Sequence, residues 1–357
     1  MNTTKKWAAN VRKVTPYVPG EQPQQKNIIK LNTNENPYPP SPRVFEAHQN
    51  MDVSRFTLYP ELSAASLTAA LAEYHGISNK EVFVGVGSDD VLSLAFLTFF
   101  NSRKPVLFPD ITYSFYPVWA EVYRIPYECP ALREDFTIDP EDYKGENGGV
   151  VIANPNAPTS ISMAASQVEE ILQANPEVVV IIDEAYVDFG GETVLPLIQK
   201  YDNLLVVQTF SKSRSLAGMR IGYAFGNDKL IKYLNDAKYS FNSYTMNTVT
   251  IAMGVEAVRD EAYFRETIDK VVVTREWTKG ELRRLGFVFQ DSKSNFIFAS
   301  HPKYPAKELF EALKQEGIYV RYFAKPRIDN YLRISIGTDG EMKALIAFLD
   351  KYVGENL

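Results

Sequence analysis

Cysteine is nearly absent from this chain, with only Cys129 among 357 residues. That excludes an intramolecular disulfide and a cysteine-based zinc site. Histidine is scarce as well: His48, His75 and His301 are scattered and form no metal-ligand spacing. Long apolar runs are missing, and the longest strongly apolar one, residues 91–100, is too short to span a bilayer. The N-terminus, MNTTKKWAANVRK, lacks the apolar core of a signal peptide. Positive charge is not concentrated either. The net charge is −6, acids and bases are interspersed, and no basic block exceeds Lys5-Lys6, which argues against a nucleic-acid partner. These absences leave a soluble, cytoplasmic protein with neither membrane nor nucleic acid as partner.

What is present fits a globular chain. A hydrophobic content of 45% over 357 residues suffices for a substantial core, in one large or two ordinary domains. Residues 1–40 are rich in Pro, Asn and Gln. Pro37, Pro39, Pro40 and Pro42 forbid helix and disfavour a central strand, so this reads as an extended arm, ordered only if it docks. Residues 43–75 read as two helices with Tyr59-Pro60-Glu61 between them. From residue 81 a βα rhythm sets in, with strand-like runs at 81–86, 105–108, 150–153, 178–182 and 204–208 and helices at 91–100 and 165–174. Unbroken apolar runs alternating with helices predict a mostly parallel sheet buried on both faces. After about residue 240 the texture changes to a long charged helix near 260–285 and shorter strands at 287–290, 296–299, 318–322 and 331–336. The division is thus an arm at 1–40, a large α/β domain at 41–240 and a small α+β domain at 241–357.

Polar residues sit where the apolar runs end, which is where open α/β sheets bind ligands. Lys212 follows the run at 204–208. A lysine there must reach water, an acid or a reactive carbonyl, and it is a candidate Schiff-base former. Taken alone, the stretch is equally a surface loop with two solvated cations, Lys212 and Arg220. Asp183 ends the most apolar run, where a carboxylate needs a partner; Tyr186 follows three residues later. Gly87-Ser88-Asp89 opens a helix whose free N–H groups suit an anion, although the Asp89 carboxylate would repel one unless it turns away as a cap. Gly85 and Gly87 lack the third glycine of a dinucleotide fingerprint. Individually, Tyr113 could be a core aromatic, Asp183 a helix cap and Arg220 a surface ion pair. Jointly they offer an acid for a ring nitrogen, a phenol for a ring oxygen and an amine for an aldehyde. Ser88, Ser211 and Arg220 remain for a phosphate and Tyr113 for ring stacking. Those are the requirements of pyridoxal 5'-phosphate.

The sequence resembles the fold-type-I pyridoxal-phosphate aminotransferases of class I/II over nearly its whole length. The resemblance rests on Thr15-Pro16-Tyr17, LNTNENP at 31–37, Tyr59-Pro60-Glu61, Gly87-Ser88-Asp89-Asp90, Thr112-Tyr113, Asp183-Glu184-Ala185-Tyr186 and Ser211-Lys212 with Ala217-Gly218 and Arg220. It extends through Asn295-Phe296, Leu332-Arg333-Ile334-Ser335 and Gly337-Thr338. LNTNENP and the arm point to the histidinol-phosphate branch. The resemblance implies that Lys212 carries the cofactor covalently and is catalytic. It implies that Asp183 pairs with the ring nitrogen, Tyr186 bonds the ring oxygen and Tyr113 stacks on the ring. Ser211, Arg220 and the amides of Ser88 and Asp89 would hold the phosphate. Arg333, Arg321, Tyr17 and Asn36 would bind substrate, and Tyr59 would reach into the partner's site of a homodimer. The substrates implied are a small amine donor and a 2-oxo acid acceptor. One departure stands out. The family pattern N-P-x-N-P-T-G reads NPNAPTS here, so Ala157 replaces an asparagine that bonds the ring oxygen, Ser160 replaces a glycine, and Asn156 is the substitute cofactor contact to examine. Rival functions are an aminotransferase for aromatic or other amino acids, a threonine-phosphate decarboxylase, and a binding protein in which Lys212 is structural.

Overall fold

The computed structural model describes residues 6–355 except 19, 24 and 26; the first five residues of the expected arm lie outside the described residues. In chain order the elements are β1 (Ile29–Lys30), α1 (Pro42–Gln49), α2 (Ala65–His75), β2 (Val82–Gly85), α3 (Ser88–Phe99), β3 (Val106–Leu107), α4 (Tyr116–Tyr123), β4 (Tyr127–Glu128), β5 (Gly149–Ala153), α5 (Ala165–Ala174), β6 (Val180–Asp183), β7 (Leu204–Thr209) and β8 (Gly222–Gly226). Then follow α6 (Asp228–Phe241), α7 (Thr248–Arg259), α8 (Glu261–Arg284), β9 (Val288–Phe289), β10 (Phe296–Ser300), α9 (Ala306–Gln315), β11 (Ile318–Tyr319), β12 (Arg321–Tyr322), β13 (Leu332–Ser335) and α10 (Asp339–Glu355).

Seven strands form one sheet in the order β2-β8-β7-β6-β5-β3-β4. Strands β3 to β7 are parallel, and β8 alone runs against its neighbours β7 and β2. The predicted mostly parallel α/β sheet is therefore present, with one reversed strand, β8, that is not among the strand-like runs read from the sequence. Both faces are covered, as continuous apolar strands require. Along β7, Leu204 and Val206 enter one core while Leu205 and Val207 enter the other. The first core includes Leu67 and Leu71 of α2, Ile171 and Leu172 of α5, and Ile251 and Val258 of α7. The second includes Leu92 and Phe96 of α3, Tyr116 and Trp119 of α4, and Leu234 of α6. Period-2 alternation in a strand thus sorts side chains between two helix layers.

A four-stranded antiparallel sheet, β12-β13-β10-β9, packs with α8, α9 and α10 around a third core containing Ile268, Leu313, Ile334 and Leu349. The expected single strand at 318–322 is two. Ile318 and Tyr319 pair in parallel with β1 of the arm, whereas Arg321 and Tyr322 pair with β13. That first pairing docks the arm: Leu31 N–H donates to the Tyr319 carbonyl at 2.7 Å, and Ser335 N–H donates to the Leu31 carbonyl at 3.0 Å.

Candidate active site

The carboxyl ends of β2, β5, β6 and β7 converge with Thr33 and Glu35 of the arm on one cavity of about 190 Å³. Asp183, Tyr186, Ser211, Lys212, Ser88, Asp89, Tyr113 and Arg220 all line it. A second cavity, of about 220 Å³, shares Thr33, Tyr113, Ala157, Tyr186 and Lys212 with the first and adds Tyr17, Arg321 and Arg333. The two form one continuous site.

Asp183 stands at the end of β6 and is 5% exposed. The hydroxyl of the fully buried Tyr116 donates to its Oδ2 at 2.8 Å, while Oδ1 has no hydrogen-bond partner among the described residues. Burial pushes the carboxyl up to about 6, against the pull of Tyr116 and the Ala185 backbone N–H. An unpaired buried carboxylate oxygen facing a cavity calls for a cationic or N–H partner there. A ring N–H meets that demand.

The opposite end of the cavity is built for an anion. Helix α3 begins at Ser88 with no side-chain cap, which leaves its first N–H groups open. Beside it Arg220 donates to Ser211 Oγ at 3.4 Å and to Asp89 Oδ2 at 3.3 Å. Asp89 also accepts from the Tyr113 hydroxyl at 2.7 Å, so its charge is turned onto Arg220 and Tyr113. Burial first, then the Asp89 charge, drives the Tyr113 phenol well above its ordinary range. Two glycines permit this closeness. A Cβ on Gly87, whose φ is +86°, would lie 2.5 Å from Arg220 Nη2, and a Cβ on Gly222 would lie 2.2 Å from the Gly87 carbonyl carbon.

Lys212 is half-buried. Its ammonium donates to the Thr33 carbonyl at 3.1 Å and lies 5.8 Å from the centre of the Tyr186 ring. The Tyr186 hydroxyl accepts from Asn34 Nδ2 at 3.0 Å. Behind them Glu184 is buried and accepts from Thr193 Oγ1, the Val194 N–H and Gln208 Nε2 at 2.7–2.8 Å. Burial pushes Glu184 up to about 7 in spite of those donors. It ties β6 to β7 just before Lys212.

In the second cavity Arg333 donates to the Asn32 carbonyl at 2.9 Å, and its Nε has no hydrogen-bond partner among the described residues. Its guanidinium lies 5.4 Å from the Phe296 ring centre and 5.7 Å from that of Phe323. Burial lowers its pKa. Tyr17 stacks on Phe115 with ring centres 4.2 Å apart.

Two expected contacts are corrected. Asn156 is 2% exposed, and its amide is consumed within its own neighbourhood: Nδ2 donates to the Ile111 carbonyl and Thr159 Oγ1, both at 3.0 Å, and Oδ1 accepts from Thr112. Ala157, not Asn156, forms the cavity wall. Asn36 donates to the Ser213 carbonyl at 3.2 Å and accepts from the Tyr38 N–H, so it braces the lysine loop and lines neither cavity. Tyr59 is 81% exposed, stacked on Tyr244, and takes no part in the cavity of its own chain. The sequence reading missed Tyr116, Asn34 and Glu184. The spacing of Tyr113 and Tyr116, three apart at the start of a helix, was the available signal for the first.

An amine, an unpaired buried carboxylate oxygen, a stacking phenol and an anion cradle in one cavity fit pyridoxal phosphate. The family model for aminotransferase class I and II matches residues 26–349. A histidinol-phosphate aminotransferase of Lactococcus lactis subsp. cremoris (strain SK11) is 51% identical over 347 residues, covering 97% of this chain and 98% of the relative. One of Clostridium botulinum (strain Okra / Type B1) is 52% identical over 348 residues, with 98% of each covered. Among solved structures, the histidinol-phosphate aminotransferase of Sinorhizobium meliloti in complex with pyridoxal-5'-phosphate superposes with a TM-score of 0.83 at 23% identity, covering 92% of each chain. That of Clostridium acetobutylicum gives 0.84 at 21% identity, over 92% of this chain and 100% of the other. The site and these likenesses agree, and the chain belongs to the class I and II aminotransferases.

Proposed function

We propose that this chain is a pyridoxal-phosphate-dependent aminotransferase of histidine biosynthesis. It transfers the amino group of histidinol phosphate to 2-oxoglutarate, giving imidazole-acetol phosphate and glutamate. The observation that carries the reading is the single cavity in which the Lys212 amine, the unpaired Asp183 Oδ1 and the Arg220–Ser211 anion cradle meet. The names of the half-identical relatives support the choice of donor.

Bound pyridoxal phosphate would supply an aldehyde that captures amines and a ring that takes up the electron pair left when a substrate Cα–H bond breaks. Asp183 Oδ1 would accept from the ring N–H and favour its protonated form. Tyr186 would donate to the ring oxygen and Tyr113 would stack on the ring. Arg220, Ser211 and the backbone N–H groups of Ser88 and Asp89 hold the phosphate. Lys212 Nζ would hold the cofactor, and as a general base it would take up the proton from the substrate Cα. Arg333, with Arg321, binds the far anion of either ligand, a phosphate in one half-reaction and a carboxylate in the other, which a planar guanidinium fork can do. Tyr17 lies over the substrate.

We further propose a cytoplasmic homodimer in which Tyr59 serves the partner's site. The support is a set of exposed apolar side chains, Phe56, Leu58, Tyr59, Phe241 and Tyr244, that a partner would cover. The division into arm, large domain and small domain at 40 and 240 is likewise our proposal. The packing of Ile251 and Val258 into the core of the large sheet favours moving the second boundary to the start of α8.

The test is incubation of the purified protein with histidinol phosphate and 2-oxoglutarate, with glutamate as the readout. Glutamate formation is expected. Turnover with phenylalanine or tyrosine but not histidinol phosphate overturns the donor assignment, and carbon dioxide release without any oxo acid overturns the reaction.

A further inference from the structure

Ala157 removes the loop side chain that would face a ring oxygen, and Asn156 beside it is turned away. The compensating group lies across the cavity in the arm. Asn34 is 1% exposed, with a φ of +57° that asparagine tolerates. Its backbone N–H donates to Ser335 Oγ at 3.0 Å, and the Ser335 hydroxyl donates back to Asn34 Oδ1 at 2.8 Å. Asn295 Nδ2 donates to the Asn34 carbonyl at 3.0 Å. Ser335 therefore fixes which way the Asn34 amide faces, and Nδ2 is left to donate to the Tyr186 oxygen. A phenol oxygen that accepts from one side sends its own proton elsewhere. The Tyr186 ring is held edge-on against Phe296 at 5.0 Å, and Tyr186 lines the cavity.

We propose that Asn34, locked by Ser335, is a positioning residue that directs the Tyr186 hydroxyl proton into the cofactor cavity, and that this relay replaces the donor lost at Ala157. The inference rests on the pyridoxal-phosphate reading above. The relay has one polarity, running from the Asn34 backbone N–H through Ser335 and the Asn34 amide to Tyr186, and each proton in it has an acceptor. It also makes the ring-oxygen contact depend on the docked arm rather than on the loop after β5.

The experiment compares wild type with Y186F, N34D, S335A, A157N and the double variants. It reads the dissociation constant for pyridoxal phosphate and the pH midpoint of the bound cofactor's visible absorbance band. Aspartate at position 34 keeps the shape and the Ser335 bonds but offers Tyr186 an acceptor, so the phenol proton turns away from the cavity. N34D is expected to mimic Y186F, with a dissociation constant raised on the order of tenfold, the size of one charge-assisted hydrogen bond. Its absorbance midpoint should move in the same direction as in Y186F. A157N supplies a new donor, so it should restore N34D and shrink the loss caused by Y186F, a coupling that a merely structural role would not produce. N34D with wild-type affinity and midpoint, beside a Y186F that loses both, overturns the relay. A Y186F loss unchanged by A157N overturns the replacement. If circular dichroism shows N34D to be misfolded, S335A reads the same relay: a smaller shift in the same direction supports it and no shift overturns it. A folded wild type that binds no pyridoxal phosphate fails the proposed function itself, a result distinct from any of these.

Discussion

Tyr116→Phe removes one oxygen atom and leaves the ring in place, so its effect isolates the hydrogen bond to Asp183 Oδ2. In the cofactor-free protein that bond and the Ala185 N–H are what offset burial of the carboxyl, which sits at about 6 against an ordinary 3.8. A hydrogen bond to a charged group contributes about 1.5–3 kcal/mol. One pH unit is about 1.4 kcal/mol, so losing the bond raises the carboxyl by roughly one to two units further. The sign follows from linkage. A folded value above the unfolded one means that stability is fully present below about 4 and is lost as pH rises through the folded value. Wild type therefore reaches its plateau just above pH 6, whereas the variant keeps losing stability to about pH 7 or 8. Urea unfolding without cofactor should show a small difference at pH 5, where both carboxyls are protonated in the fold. At pH 8.5 the difference should grow to about 1.5–3 kcal/mol. An equal loss at both pH values, or a larger one at pH 5, would refute the account of Asp183.

Three further outcomes are expected. Gly222→Ala places a Cβ 2.2 Å from backbone atoms of Gly87 and Ser88, so the anion cradle must shift; denaturant melts should show a loss of about 1–3 kcal/mol, with weaker cofactor binding. Arg220→Lys keeps the charge but loses the planar fork between Ser211 and Asp89, and the pyridoxal-phosphate dissociation constant should rise roughly tenfold in equilibrium titration. Arg333→Ala should raise KM for both anionic substrates roughly tenfold to a hundredfold while the cofactor's affinity stays near wild type, which steady-state kinetics and titration together check.

The parts of the site legible in the sequence were those where an apolar strand stops at a polar residue. Asp183, Lys212 and Ser88 were readable because burial makes a polar strand end conspicuous. The large sheet was readable for the same reason, since strands covered on both faces are apolar throughout. Strand β8 was not read as antiparallel, because direction leaves no mark in a five-residue apolar run. The stretch at 318–322 read as one strand because nothing in IYVRY announces that its halves pair with different partners. Asn36 came from the family resemblance and Asn156 from its place beside Ala157, and both amides donate to backbone carbonyls. Asn34, two residues before Asn36, carries the cavity contact instead. Which asparagine in LNTNENP faces the site depends on the turn at Asn34 and on Ser335, some three hundred residues away, and no local pattern reports that.

That separation has a consequence for timing. A ribosome releases residues 82–226, which hold Ser88, Asp183, Lys212 and Arg220, well before Ser335 leaves it. The sheet of this segment closes through pairings among its own strands. The arm strand β1 precedes this segment in the chain, whereas its partners Ile318 and Tyr319 follow it. Until these are made Thr33 cannot meet the Lys212 ammonium, nor Asn34 the Tyr186 hydroxyl, in the finished arrangement. The residues of the anion cradle and the acid are therefore synthesised before Ser335 and before the strand on which the arm docks.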